Sequence, residues 1–339
     1  MTNTQSPIYL YINTESKENQ ELKFLNKMKA AHSRANAAVE SFYLSNEETY
    51  QKGIRLSQCA NAATFKHYFI TDEYKLERLN LCRDRLCLNC QLATSRKLIR
   101  KLLWAVEHIN LAPGETLQFL TLTAPNIPAE KIKEQTQNLI KASKAFLRKY
   151  EIKDYFRSVE ITYNKKQPAE KRYHPHLHFL FVAPKNTYFP LFDKSLGKYG
   201  ANPLQFAWAQ KWHEITHEQL ETFGTNKKTG EKGAYLAATV YQITDSKSIF
   251  ELTKYVTKPQ DMTKNVIAAL HGKNYETLEN TGISGLRLKT PCGRFKELFG
   301  RYNICKETEE EIEKKRLEKL DYELLSYIYN GKEYEPWNI

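Results

Sequence analysis

The sequence predicts an α+β protein organised around an antiparallel sheet, with additions at the N-terminus and a charged helix at the end of the chain. Three stretches carry that prediction: TLQFLTLT at 116–123, FRSVEITY at 156–163 and YHPHLHFLF at 173–181. Side chains alternate faces along a strand, so each stretch shows a polar stripe on one side and an apolar stripe on the other. A sheet with one helix-covered face and one functional face explains the pattern.

The 339 residues read as three parts. Residues 1–110 form an N-terminal helical and cysteine-bearing region, 111–305 the sheet domain, and 306–339 a C-terminal charged helix. In the first part, IYLYI at 8–12 reads as a short strand and Glu18 to about Phe42 as a scaffold helix. Cys82, Cys87 and Cys90 follow with C-x₄-C-x₂-C spacing, and Cys87-x₂-Cys90 is the kind of knuckle that grips structural zinc. Zinc wants four ligands; Cys59, His67, Cys292 and Cys305 are all candidates for the fourth. From Ala93 a helix carries Arg96, Lys97, Arg100 and Lys101, which offer either phosphate contacts or a solvated face.

Pro113-Gly114 turns the chain into the first central strand, which ends at Pro125. A helix from Pro128 to about Lys149 presents Ile132, Leu139 and Phe146 to the core. After the histidine-bearing strand, a helix over 203–223 places Trp208 and Trp212 in the core and His213 and His217 at the surface. A basic loop at 224–233 leads to a strand at 234–243. SIFELTKYVTKP, 248–259, is a helix closed by Pro259, with Ile249, Leu252 and Val256 as its apolar stripe. Glu251, Tyr255 and Lys258 share another face at i, i+4 and i+7. The stretch 282–301 is basic, with Arg287, Lys289, Arg294, Lys296 and Arg301. The tail from Glu307 to about Tyr329 reads as a mixed-charge helix for packing or self-association, which makes a homodimer a candidate assembly.

Composition narrows the partners. A hydrophobic content of 41% and a mean hydropathy of −0.63 describe a globular chain, and no apolar run approaches the ~20 residues of a membrane span. The N-terminus lacks a signal-peptide pattern, so the expected location is the cytoplasm, away from membranes. A net charge of +12 implies an anionic partner, nucleic acid before membrane, and the 21 tyrosines and 16 phenylalanines include candidates for stacking on unpaired bases. Six cysteines fit thiols or metal ligands in a reducing compartment.

The chemistry concentrates on His176-Leu177-His178. The two imidazoles project from one side of the strand while Leu177, Phe179 and Phe181 face the core. Such a pair suits Mn²⁺ or Zn²⁺ better than the all-oxygen shell Mg²⁺ prefers. Glu160, on the polar stripe of a neighbouring strand, is the candidate third ligand. His174, before Pro175, is a spare ligand or a phosphate contact.

A His-hydrophobic-His strand resembles the signature of the HUH endonucleases, and HPHLHFL is similar to that of the Rep_1-type rolling-circle plasmid replication initiators. FLTLT resembles their first motif and GRFKELF their last, a candidate DNA-contacting turn. C-x-x-R-x-C-x-x-C resembles their N-terminal motif, with Leu88 where the family often has proline. The resemblance spans roughly residues 80 to 300. It implies a ferredoxin/RRM-like HUH sheet and a site-specific single-strand DNA endonuclease and strand transferase that uses Mn or Mg. It also implies Tyr255 as the nucleophile, leaving a 5′-phosphotyrosine and a 3′-hydroxyl primer, and Glu251 as activator of a water at the second cleavage. Ser248-x-x-Glu251 also matches a helix capping box. Lys254 and Lys258 would hold phosphate oxygens, and Arg287, Lys289, Arg294 and Lys296 would contact DNA. The implied partners are plasmid origin DNA, single-stranded or cruciform, and a host helicase and polymerase. No G-x-x-x-x-G-K-[ST] loop is present, so ATP-driven unwinding falls to that helicase. Rival readings are an HUH transposase or mobilisation relaxase, a non-catalytic nucleic-acid-binding protein, and a zinc-dependent hydrolase centred on the histidines.

Overall fold

Period-two alternation of buried residues builds the centre of the molecule. The structure, a computed structural model, describes residues 17–169, 172–184, 208, 211–212, 214–216, 238–243, 249–250, 252–253, 259–272, 281–317 and 320–337. The expected strand at 8–12, the basic loop at 224–233, and His213 and His217 lie outside the described residues.

Among the described residues the elements run α1 (Lys17–Leu44), α2 (Tyr50–Ser57), β1 (Ala62–Tyr68), β2 (Glu73–Leu79), α3 (Leu88–His108), β3 (Glu115–Thr123) and α4 (Ile132–Lys149). They continue with β4 (Tyr155–Tyr163), β5 (Tyr173–Pro184), β6 (Ala238–Gln242), α5 (Lys264–His271), β7 (Lys289–Cys292), α6 (Arg294–Leu317), β8 (Tyr322–Tyr329) and β9 (Tyr334–Pro336). The central sheet has five antiparallel strands in the order β6-β3-β5-β4-β7; a second, four-stranded sheet has the order β2-β1-β8-β9. This is the α+β architecture the strand patterns predict, with β5 at the centre of the larger sheet.

The apolar stripes do the packing. Leu120, Leu122, Val159, Ile161, Leu177, Phe179 and Phe181 face a core closed by α4, Trp208, Trp212 and α5. Trp212 also donates its Nε1 proton to the Thr123 carbonyl at 2.9 Å, which satisfies the one polar atom its burial would otherwise strand. The same core continues through α1 into the smaller sheet, where Phe65 and Tyr327 meet edge to face. Each fully buried Leu or Phe here contributes on the order of 1.5–3 kcal/mol.

Three expectations need correction. Helices do not stay on one face: Phe119, Phe156, Leu180 and Val182, on the histidine side, are covered by Leu102 and Ala105 of α3 and Phe295, Leu298 and Phe299 of α6. Among the described residues, the candidate functional face is therefore the part of that side outside this cluster, around His176, His178 and Glu160. The tail is not one helix to Tyr329. Its charged helix ends at Leu317, and YELLSYIY becomes β8, paired with β1 from Ala62↔Ile328 to Tyr68↔Tyr322. Its tyrosines and isoleucine favour a pleated surface, and the paired β1–β8 ladder ties the end of the chain to the N-terminal region instead of leaving it separate. Finally, GRFKELF is not a turn: Arg294 opens α6. Gly293 makes that start possible, because at φ +54 a Cβ would fall 2.1 Å from Asp154 Oδ1.

Candidate active site

Register on the central sheet sets the site. Thr121 lies opposite His178, His178 opposite Ser158, and Ser158 opposite Lys289, a row across four strands. In the next row Thr123 lies opposite His176 and His176 opposite Glu160. Directly opposed residues share a face, so His176, His178 and Glu160 rise from one side, as the alternation predicts.

Side-chain contacts run diagonally across these rows. His178 Nε2 stands 3.0 Å from Glu160 Oε2, and its Nδ1 stands 3.0 Å from Thr121 Oγ1. A hydroxyl can donate or accept, so Thr121 holds the ring in place in either tautomer. His176 Nε2 lies 3.3 Å from Thr162 Oγ1, and the two imidazoles are nearly parallel at 15°, with centroids 6.0 Å apart. The His178 and Glu160 side chains are only 12% and 13% exposed, so their electrostatic coupling is little screened. His174 stacks obliquely on His176 with centroids 4.1 Å apart; burial holds its pKa below the usual histidine value, against a smaller opposing effect of a backbone hydrogen bond at Ala124. It therefore favours the neutral imidazole.

Nitrogen, nitrogen and carboxylate donors are a set that borderline divalent cations accept. His178 Nε2 and Glu160 Oε2, 3.0 Å apart, are paired with each other as a hydrogen bond. His176, on the same face, is turned to Thr162, so the donor atoms of His176, His178 and Glu160 do not gather as closely as a three-ligand metal site requires.

The segment leading to the expected nucleophile docks on this face. Ile249 and Leu252 are buried in one cluster with Phe119, Phe156 and Leu180 of the sheet and with α3 and α6. The helix expected over 248–259 is not continued at Leu252 and Thr253, which form a turn whose amides bond to the Ile249 and Phe250 carbonyls at 3.2 and 3.1 Å. The Thr253 carbonyl accepts a hydrogen bond from Ser95 Oγ of α3 at 2.6 Å and another from Lys289 Nζ at 3.2 Å. Glu251, Lys254, Tyr255 and Lys258 themselves lie outside the described residues.

The expected DNA contacts divide. Arg287 and Lys296 are exposed. Lys289 is turned inward to Thr253, and burial pulls its pKa down to about 8. Arg294 is a half-buried strut: it pairs with Glu115 at 2.9 Å and with Asp154 at 2.8 Å, and donates to the Asn110 carbonyl. On α3, Lys97 and Arg100 are exposed, whereas Arg96 packs 3.7 Å over the Phe24 ring and Lys101 donates to Asn303. Thr121, Thr162 and Ser95 were not legible as site residues. Thr121 and Thr162 belong to the polar stripes already recognised, but Ser95 has no local signal.

The Rep_1 family model, described as "Replication protein", matches residues 73–334. The chain is 25% identical over 264 residues to "Protein rep" of Bacillus amyloliquefaciens, covering 75% of this chain and 74% of the relative. It is 28% identical over 267 residues to "Protein rep" of Lentilactobacillus hilgardii, covering 74% of each. With "Protein rep" of Staphylococcus aureus it shares 27% identity over 198 residues, 57% of this chain and 76% of the relative. No solved structure matches the chain at a significant level.

Proposed function

Because this chain belongs to the Rep_1 family of replication proteins, we propose that it initiates rolling-circle plasmid replication by nicking one strand of origin DNA through Tyr255. The observation that carries the reading is the sharing of one sheet face by the His178–Glu160 pair and the Ile249–Thr253 segment, two residues short of Tyr255.

In this reading His176, His178 and Glu160 hold a divalent ion, with Mn²⁺ or Mg²⁺ as the candidates. The ion, when bound, supplies Lewis-acid polarisation of the scissile phosphate. A phenol with a pKa near ~10 is a poor nucleophile at neutral pH, so such activation is needed. Tyr255 Oη forms a bond to phosphorus as the bond from phosphorus to the 3′-oxygen breaks. The phenolic proton is lost, the 3′-oxygen gains one, and the phosphodiester count is conserved. The product is a 5′-phosphotyrosine and a 3′-hydroxyl that primes synthesis. At termination Glu251 accepts a proton from an attacking water, so the second cleavage ends in hydrolysis. Lys254 and Lys258 hold phosphate oxygens. The partners are single-stranded or cruciform origin DNA and a host helicase and polymerase.

The test is cleavage of single-stranded oligonucleotides tiled across the origin of the protein's own replicon, with Mn²⁺ and with chelator. Metal-dependent nicking that falls by about a hundredfold or more in His178→Ala and Glu160→Gln is expected. Nicking that persists undiminished in both variants overturns the reading.

A further inference from the structure

Among the described residues outside the candidate nicking site, one cluster of side chains has the geometry of a metal-binding site. Cys59, Cys82, Cys87 and Cys90 bring their four sulfurs within 4.8 Å of one another. Cys59 Sγ lies 3.6 Å from Cys90 Sγ and 3.5 Å from Cys87 Sγ, and Cys82 Sγ lies 3.6 Å from Cys90 Sγ. None of the four is in a disulfide, and three of them are buried. Four sulfurs around a tetrahedral ion at about 2.3 Å stand about 3.8 Å apart, so these separations are close to the edges of such a tetrahedron.

The surroundings suit thiolates. The Cys82 amide points at Cys59 Sγ at 3.4 Å and the Arg83 amide at Cys90 Sγ at 3.1 Å. Arg83 has a left-handed backbone, φ 60, which bends the chain there. Amide donors aimed at sulfur are the second layer of support that metal thiolates use. Lys29 adds a cation beside the cluster, its ammonium 3.1 Å from the Cys59 carbonyl.

We infer that Cys59, Cys82, Cys87 and Cys90 bind one structural zinc ion, with Cys59 as the fourth ligand that sequence spacing left open. Of the other candidates, His67 is held between Asp72 and Glu323 at 2.9 and 2.8 Å, and Cys292 and Cys305 are not in the cluster. A closed four-sulfur shell leaves no open position for substrate, which makes the ion structural. Its ligands come from the end of α2, the end of β2 and the first turn of α3. The ion therefore fastens the smaller sheet to α3, the helix whose Ser95 holds the Thr253 carbonyl. Zinc binding does not depend on the nicking reading.

The test uses the full chain carrying His176→Ala and His178→Ala, so that the nicking site contributes no metal. Elemental analysis is expected to find one zinc per chain, and cobalt substitution to give the intense visible bands and thiolate charge-transfer absorption of a tetrahedral four-sulfur site. Cys59→Ser in that background loses the four-thiolate spectrum and weakens zinc retention against a chelating dye by at least tenfold; Cys305→Ser changes neither. If Cys59→Ser fails to fold, chelator is added to the parent chain, with loss of zinc and a lowered Tm expected together. Zinc-free folded protein with all six thiols reactive overturns the inference. So does a Cys59→Ser chain that keeps its zinc and its spectrum.

Discussion

His178 Nε2 meets Glu160 Oε2 at 3.0 Å, although the strand register sets Glu160 opposite His176. The diagonal contact on Nε2 and Thr121 on Nδ1 hold the His178 imidazole at both of its nitrogens. If this pair anchors the metal, His178→Ala lowers the nicking rate by about 10²–10³. Thr121→Val keeps the ring but removes its support, and costs about 10–100-fold in metal affinity. The two effects separate in a titration of nicking rate against Mn²⁺: excess metal restores Thr121→Val and not His178→Ala.

Ser95 is a positioning residue for the segment that precedes Tyr255. Its hydroxyl is buried and bonded to the Thr253 carbonyl at 2.6 Å. Ser95→Ala leaves that carbonyl with Lys289 alone and is expected to cost about 1 kcal/mol of stability. A positioning role further predicts a fall in the single-turnover nicking rate with DNA affinity unchanged. A Ser95→Thr chain that keeps the hydroxyl should recover most of that rate.

Lys289 predicts a distinctive pH dependence. Its pKa in the folded protein is about 8, against 10.5 for an ordinary lysine, because burial disfavours the ammonium. Between those values the unfolded chain binds the extra proton, so this group makes stability rise with pH from about 8 to about 10.5. Below about 8 the charged, buried ammonium detracts from stability by a constant amount. Denaturant melts from pH 7 to 10 should show the rise in the parent chain and its loss in Lys289→Met.

Arg294 and Lys296 should behave oppositely despite their similar charge. Arg294 is locked between Glu115 and Asp154, and its guanidinium holds the Glu115 carboxyl below the usual range. Arg294→Ala is expected to lose about 1.5–3 kcal/mol of stability with little change in the salt dependence of DNA binding. Lys296→Ala and Arg287→Ala, at exposed positions, should leave the Tm unchanged. Each should reduce the slope of log affinity against log salt by about 0.7–0.9. Fluorescence anisotropy at several salt concentrations, beside thermal melts, distinguishes the two classes.

The central sheet was legible in the sequence because its strands alternate cleanly. FLTLT, FRSVEITY and HLHFLF each announce a face, and the faces proved to agree across the ladder. The smaller sheet was not. The β1–β2 turn, Phe69 to Asp72, has no Asn-Gly or Gly signal, and exposed Phe69 and Ile70 blur the end of the apolar pattern. YELLSYIY follows so closely on the charged run EEEIEKKRLEKL that the helix reading extended through it. Cys59 could not be singled out either: it lies 23 residues before Cys82, and only the pairing of β1 with β2 brings the two together. The DNA contacts fell short for another reason. Charge alone does not tell a solvated cation such as Lys296 from one spent inside the fold such as Arg294.

The most direct measurement is mass-spectrometric mapping of the covalent product. Origin oligonucleotide is incubated with the full chain and Mn²⁺, the nuclease-trimmed adduct is digested with protease, and the peptide bearing the nucleotide is sequenced. The account predicts a 5′-phosphate attached to Tyr255, absent from Tyr255→Phe and from chelated reactions. Cleaved DNA with a free 5′-phosphate, no adduct and an undiminished yield in Tyr255→Phe would contradict it and assign the chemistry to a water.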